Sequence, residues 1–394
     1  MEADPAYLQD AVRSIYAFMA RTAERTGTGI CWETIDYENK PHRDLGIFNG
    51  TGGISFFLVD AFPVTRDPEA LVLAQGAIDW CAAFPGKCSQ RGLQFGKTGA
   101  ALAALHKSVA LGEPEVPAFC LANAATILRE PPGPVTDLIG GAASNGLYLL
   151  KLWARTRDPA HLRGAERCAE WLDAVMIRDG QGTHCPVCPD GTVNFPKHSY
   201  LGVAHGIAGI AHFLGLLAEA SGSERWATLA RDLFDTLARH AQPARGGLNW
   251  PNTTVGTELN RCQWSHGAAG IGLTFLTAHR VLRDARYLDL AVQAAEATYG
   301  YGDYRNSYTV CTGVAGGGGL FVEVYRATGE ARWRDRAHEF ARLCIAYRES
   351  TPAGDAWPTD AKGLYSADFG YGAAGVGHFF LRLLADGRLP DPLM

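Results

Sequence analysis

The sequence has no long apolar run. Its hydrophobic stretches are rich in glycine and alanine and are broken by His, Arg and Lys. None approaches the roughly 20 residues that a membrane-spanning helix needs. The N-terminus, Met1-Glu2-Ala3-Asp4-Pro5, is acidic and lacks the basic and apolar regions of an export signal, which points to the cytoplasm. There is no basic stripe with interleaved aromatics, and the formal net charge is −5, so nucleic acid is not an expected partner. An Asp-Asp-x-x-Asp run is absent, as is a convincing pair of carboxylates. Both absences argue against terpene or prenyl transfer and against glycoside hydrolysis. What remains is an ordinary globular composition of 394 residues, 47% hydrophobic and 20% charged, with length enough for a large core. The ten cysteines are scattered. Without an export signal, Cys31, Cys81, Cys88, Cys120, Cys168 and Cys344 read as buried thiols rather than a disulfide framework.

The chain is organised by a repeat. His205-Gly206-Ile207-Ala208-Gly209-Ile210 recurs as His266-Gly267-Ala268-Ala269-Gly270-Ile271. Weaker copies lead with Gly50, Gly96, Gly141, Gly313 and Gly372, making seven, at intervals of 46, 45, 65, 61, 46 and 59 residues. Each copy opens a small, apolar segment that suits burial on every side. A charged segment with one apolar face follows, introduced by Arg66-Asp67, Arg157-Asp158, Gly222-Ser223, Arg283-Asp284 or Gly329-Glu330. The expected fold is therefore all-α: seven helical hairpins closing into an α/α toroid, inner helices Gly-led and apolar, outer helices amphipathic, in one domain over 1–394. An open solenoid is the alternative. Closure is preferred because the inner helices are so apolar and neither terminal unit has a polar capping face. Converging inner-helix N-termini would leave free N–H groups and positive dipole ends at a shared mouth, suited to stabilising a thiolate or an enolate.

The motifs resemble those of the lanthionine synthetase C-like cyclases. Tyr200-Leu201-Gly202-Val203-Ala204-His205-Gly206-Ile207-Ala208-Gly209-Ile210 is similar to the family's Ala-His-Gly-Leu-Ala-Gly motif. Trp264-Ser265-His266-Gly267 stands where the family has Trp-Cys-x-Gly, and Cys311-Thr312-Gly313 where it has Cys-His-Gly. The resemblance covers essentially the whole chain and implies the toroid fold. It also implies addition of a peptide cysteine thiol to dehydroalanine or dehydrobutyrine, a Michael-type reaction that closes a thioether ring. By position it makes His205, Asp137 and Arg261 catalytic candidates. It implies zinc as cofactor, yet Ser265 and Thr312 replace two ligands and leave Cys311. Without the metal, His205 and His266 are the acid–base candidates.

His184-Cys185-Pro186-Val187-Cys188 offers a second ligand set: Cys185 and Cys188 could complete a relocated zinc site with Cys311, form a redox pair, or lie in a plain turn. The loops at residues 242–260 and 349–368, with Trp250 and Trp357, are expected at the mouth, suited to an extended peptide. The implied partners are a dehydrated, leader-bearing precursor peptide and dehydratase or kinase–lyase proteins. The competing reading is a non-catalytic pseudo-cyclase that binds a precursor and scaffolds a modification complex.

Overall fold

The computed structural model describes residues 5–36, 38–84, 92–351, 354–361, 363–392 and 394, and Cys88 lies outside them. Fourteen helices occur among the described residues: α1 (Ala6–Thr22), α2 (Thr51–Thr65), α3 (Glu69–Ala82), α4 (Lys97–Ala110), α5 (Ala118–Arg129), α6 (Ala142–Thr156), α7 (Pro159–Val175), α8 (Ile207–Ser221), α9 (Glu224–His240), α10 (Ala268–Leu282), α11 (Ala285–Tyr301), α12 (Val314–Thr328), α13 (Ala331–Ala346) and α14 (Ala373–Leu384). The even-numbered helices are the inner set. In α8 every residue from Ile207 to Gly215 is buried. The odd-numbered helices are the outer set. In α9, Trp226, Leu229, Ala230, Leu233, Phe234 and Leu237 form the one buried face. This alternation is the α/α-toroid class of fold.

The Arg-Asp pairs are the hinges of the hairpins. Arg66, Arg157 and Arg283 end their inner helices in the left-handed conformation, at φ 56, 57 and 52°. The carboxylate of the next residue accepts an N–H at the start of the outer helix. Asp67 accepts the Glu69 N–H at 3.0 Å, Asp158 that of Ala160 at 2.8 Å and Asp284 that of Arg286 at 2.9 Å.

Among the described residues, four outer helices run into short antiparallel hairpins. These are β1 (Glu24–Thr26) with β2 (Gly29–Cys31) after α1, β5 (Ile177–Asp179) with β6 (Gly182–His184) after α7, β7 (Gln242–Ala244) with β8 (Gly247–Asn249) after α9, and β9 (Glu349–Thr351) with β10 (Gly354–Ala356) after α13. A further pair, β3 (Thr34–Ile35) with β4 (Pro41–His42), precedes α2. After three hairpins comes a wholly buried tryptophan. The indole N–H of Trp32 donates to the Met19 carbonyl at 2.9 Å, that of Trp250 to Leu237 at 2.7 Å and that of Trp357 to Cys344 at 3.1 Å. Each acceptor lies 13 residues earlier, in the helix before the hairpin. Trp250 and Trp357 are therefore core anchors and not the peptide-facing aromatics expected from their polar loops. An indole inside a packed hairpin satisfies its N–H and buries its rings only by turning back onto its own helix. After β5–β6 the same place is taken by Cys185.

The chain packs as two compact units, residues 1–120, 303–326 and 330–394 in one, and 121–302 with 327–329 in the other. Within the first, α14 packs against both α1 and α2. The N-terminal helix thus serves as the outer partner of the last inner helix. A buried carboxylate pins this seam. Asp60 of α2 accepts His106 Nε2 of α4 at 2.8 Å and His378 Nε2 of α14 at 3.0 Å. Burial alone would raise the Asp60 pKa, but the bonds from the two imidazoles outweigh it and hold the carboxyl below its ordinary range. A depressed folded pKa contributes stability in full above the unfolded value of roughly 3.9 and loses it as pH falls through the folded value. Asp60→Asn is expected to cost about 3–5 kcal/mol at pH 7 in denaturant unfolding, as for one partner lost from a buried charged cluster. The gap to wild type should begin to narrow below about pH 4 and close only as pH falls through the lower folded value; a variant as stable as wild type at pH 7 would contradict this reading.

Candidate active site

The second unit brings together Asp137, His205, His266 and the Arg261 backbone. Asp137 lies in the loop before α6. Its Oδ1 accepts the N–H groups of Ile139 at 3.1 Å and Gly140 at 2.9 Å. This leaves Oδ2 for His205 Nδ1, at 2.6 Å. The carboxylate side chain is 2% exposed and the imidazole 29% exposed. With Nδ1 donating to that carboxylate oxygen, Nε2 is the ring nitrogen left free. His205 directly precedes Gly206, the N-cap of α8. Its ring lies 5.6 Å from Phe195, 6.4 Å from Tyr200 and 6.2 Å from His266. Tyr200 also lies 5.5 Å from His266.

The loop carrying Arg261 to Gly267 is fastened by Asn249. Its Nδ2 donates to the Arg261 carbonyl at 2.8 Å, and its Oδ1 accepts the Ala268 N–H of α10 at 2.8 Å. Gly267 has φ +101°, and a Cβ there would stand 2.4 Å from the Arg261 carbonyl oxygen, so only glycine fits the turn. His266 is buried with Nδ1 unpartnered. Burial first, then electrostatic repulsion from His205 and Arg261, push its pKa down to about 3.

The Cys-x-x-Cys segment lies against the Asp137 loop. Thr136 donates its N–H to the Val187 carbonyl at 2.9 Å and its hydroxyl to that of Pro186 at 3.1 Å. His184 is engaged by Ser199 at 2.8 Å and Asp179 at 3.1 Å. Burial pushes the Cys185 thiol up to about 12. Cys188 sulfur lies 3.2 Å from Asp190 Oδ1 and accepts the Val193 N–H at 3.3 Å. Both thiols are free. The segment braces the loop of Asp137, and among the described residues no three His, Cys, Asp or Glu side chains gather as metal ligands.

The first unit holds Cys311 and Thr312, just before α12. The Tyr371 hydroxyl bonds to the Cys311 thiol. The Thr312 hydroxyl donates to Asp360 and lies 2.9 Å from Thr309 Oγ1, and Ser307 donates to the same carboxylate at 2.5 Å. Asp368 is fully buried, and burial raises its carboxyl to about 6 against the opposing bonds from Ser366 and the Tyr371 and Gly372 N–H groups. At the positions where the resemblance puts zinc ligands, this chain has two hydroxyls and one thiol. Neutral hydroxyls are poor zinc ligands, and that of Thr312 is spent on Asp360. The donor set does not suit zinc.

Sequence reasoning missed Tyr371 and Asp368, though the repeat marks both. Tyr371 directly precedes Gly372 as His205 precedes Gly206, and Asp368 stands four before Gly372 as Asp137 stands four before Gly141.

Residues 41–394 match the family model described as lanthionine synthetase C-like protein. The glutathione S-transferase LANCL1 of Danio rerio is 26% identical over 196 residues, 50% of this chain and 46% of that protein, so the match spans about half of that relative. The LanC-like protein GCL1 of Arabidopsis thaliana is 25% identical over 325 residues, 77% of this chain and 71% of its own. Among solved structures, a nisin cyclase superposes with TM-score 0.68 at 16% identity, covering 96% of this chain and 94% of its own. An alpha-1,6-mannanase of Salegentibacter sp. HEL1_6 gives 0.53 at 13%, covering 97% and 99%. At such identities these two likenesses show the fold. No helix among the described residues is long and apolar enough to cross a membrane.

The purified, tag-free protein is expected to carry well under one equivalent of zinc by elemental analysis, with no change in a Cys185→Ser/Cys188→Ser variant. Near-stoichiometric zinc lost in that variant would mean a site built on the Cys-x-x-Cys segment. Zinc retained in it would mean that the Cys311 neighbourhood binds metal after all.

Proposed function

Because the chain belongs to the lanthionine synthetase C-like family, we propose that it adds a thiol to a dehydroalanine or dehydrobutyrine of a dehydrated peptide, forming a thioether without zinc. The observation that carries this reading is the 2.6 Å bond from His205 Nδ1 to the buried Asp137 carboxylate, which orients an imidazole with Nε2 available as a base. His205 takes the thiol proton, and the thiolate forms a C–S bond to the β-carbon while the C=C π bond breaks. The displaced electron pair moves toward the adjacent carbonyl oxygen. The imidazolium then returns its proton to the α-carbon. Atoms and electrons balance with no redox partner. Arg261 supplies positive charge for the thiolate or the enolate. General acid–base catalysis of this kind contributes about 10²–10⁴-fold.

The preferred substrate is a precursor peptide bearing its own cysteine, supplied by a dehydratase or kinase–lyase. The name of the Danio rerio relative favours testing glutathione as the thiol as well. The hydroxyls at Ser265 and Thr312 favour one further reading, a non-catalytic peptide-binding scaffold. A single assay separates these. A peptide carrying one dehydroalanine and one cysteine is incubated with the protein, and loss of free thiol at unchanged mass reports the ring; a parallel reaction with glutathione reports a mass gain. Asp137→Asn and His205→Ala are each expected to lower the rate about 10²–10⁴-fold with the fold intact. Rates equal to wild type in both variants, or no acceleration by wild type with either thiol, would remove the enzymatic reading.

A further inference from the structure

Two imidazoles stand side by side in the second unit, and their surroundings differ. His205 is backed by a carboxylate, whereas the Nδ1 of His266 is sealed from solvent with no hydrogen-bond partner. The His266 ring lies over Gly202. A Cβ on Gly202 would stand 3.0 Å from Nδ1 and 2.4 Å from the Ser265 carbonyl oxygen. The Ala204 N–H donates to that carbonyl at 3.2 Å, and the Gln263 N–H to the His266 carbonyl at 2.9 Å, which fixes both backbones around the ring. A buried N–H without an acceptor is the costlier orphan, so the proton belongs on Nε2, the one ring nitrogen left to meet a ligand.

We propose that His266 works as a neutral imidazole whose Nε2–H donates to the carbonyl oxygen that gathers negative charge during thiol addition, with Gly202 as the positioning residue that seats its ring. The proposal rests on the reading of this site as one of thiol addition. The groups facing the ring are Tyr200 at 5.5 Å, His205 at 6.2 Å and the positive charge of Arg261, with Asp137 behind His205 and bonded to it. Burial opposes a second proton most, and the charge of Arg261, with that of His205 once it has taken the thiol proton, opposes it further. The labour is therefore divided. His205 moves the proton; His266 keeps its own and stabilises charge, as a neutral imidazole can beside a developing enolate.

The test uses the full chain with ¹⁵N-labelled histidine, and His266 is assigned by the signals lost in His266→Phe. The expected spectrum is that of a neutral Nε2–H tautomer, unmoved from pH 5 to 8. A midpoint inside that range, or an Nδ1–H tautomer, would overturn the proposal. The dehydroalanine–cysteine peptide supplies the second arm. His266→Phe is expected to lower kcat about 10²–10³-fold with KM within a few-fold, and His266→Gln, which keeps an N–H near Nε2, to recover at least tenfold of that loss. Gly202→Ala should shift the His266 signals and lower kcat. Equal losses in the Gln and Phe variants would overturn the donor role. If wild type adds no thiol at all, the reading of the site falls, while the imidazole spectrum still decides the state of His266.

Discussion

Much of the second unit depends on how one carboxylate is held. Asp137 has two oxygens and spends them differently: Oδ1 on the Ile139 and Gly140 N–H groups, Oδ2 on His205. The first pair gives the almost completely buried carboxylate the hydrogen-bond partners that burial demands. The last bond turns the His205 ring so that Nε2 is free. Removing either half leaves a buried charge without partners or an imidazole without orientation, and both are costly. The Cys-x-x-Cys segment belongs to the same device, since its Pro186 and Val187 carbonyls fasten Thr136, the neighbour of Asp137. Its sulfurs turn to separate partners, which suits a brace.

The repeat explains why such a site can arise. Five inner helices start from an extended glycine and α10 from Gly267 at φ +101°, and the residue before the lead glycine occupies the same place in every copy. In the second unit that place holds His205 and His266; in the first it holds Asn49, Thr312 and Tyr371, among others. The glycines and small residues behind it pack the helices. At one position where the resemblance implies a metal ligand, this chain has Thr312, whose hydroxyl is tied into a Ser307–Thr309–Thr312–Asp360 network. The loop before α12 is thus braced by hydrogen bonds.

Much of this was legible in the sequence because the signals are local. Gly-led apolar segments and Arg-Asp junctions each have one structural meaning, and the structure gives both that meaning. The part played by α1 as outer partner of α14 was not legible, because that pairing joins residues more than three hundred positions apart, as the Asp60–His378 bond does at a separation of 318. Trp250 and Trp357 were misplaced for a related reason. A tryptophan in a polar loop does not announce which way it turns, and the decisive acceptor is a carbonyl in the preceding helix. The pairing of Asp137 with His205 came from resemblance alone. The repeat register marks Tyr371 and Asp368 by their distance from Gly372.

The central claim is that His205, oriented by Asp137, delivers the proton to the α-carbon. The most direct measurement is to run the peptide reaction in D₂O and resolve the α-configuration of the thioether by chiral analysis of the hydrolysed product. The account predicts one deuterium per ring and a single α-configuration, because one imidazole protonates one face. Both configurations, in the ratio given by the protein-free reaction, would contradict it.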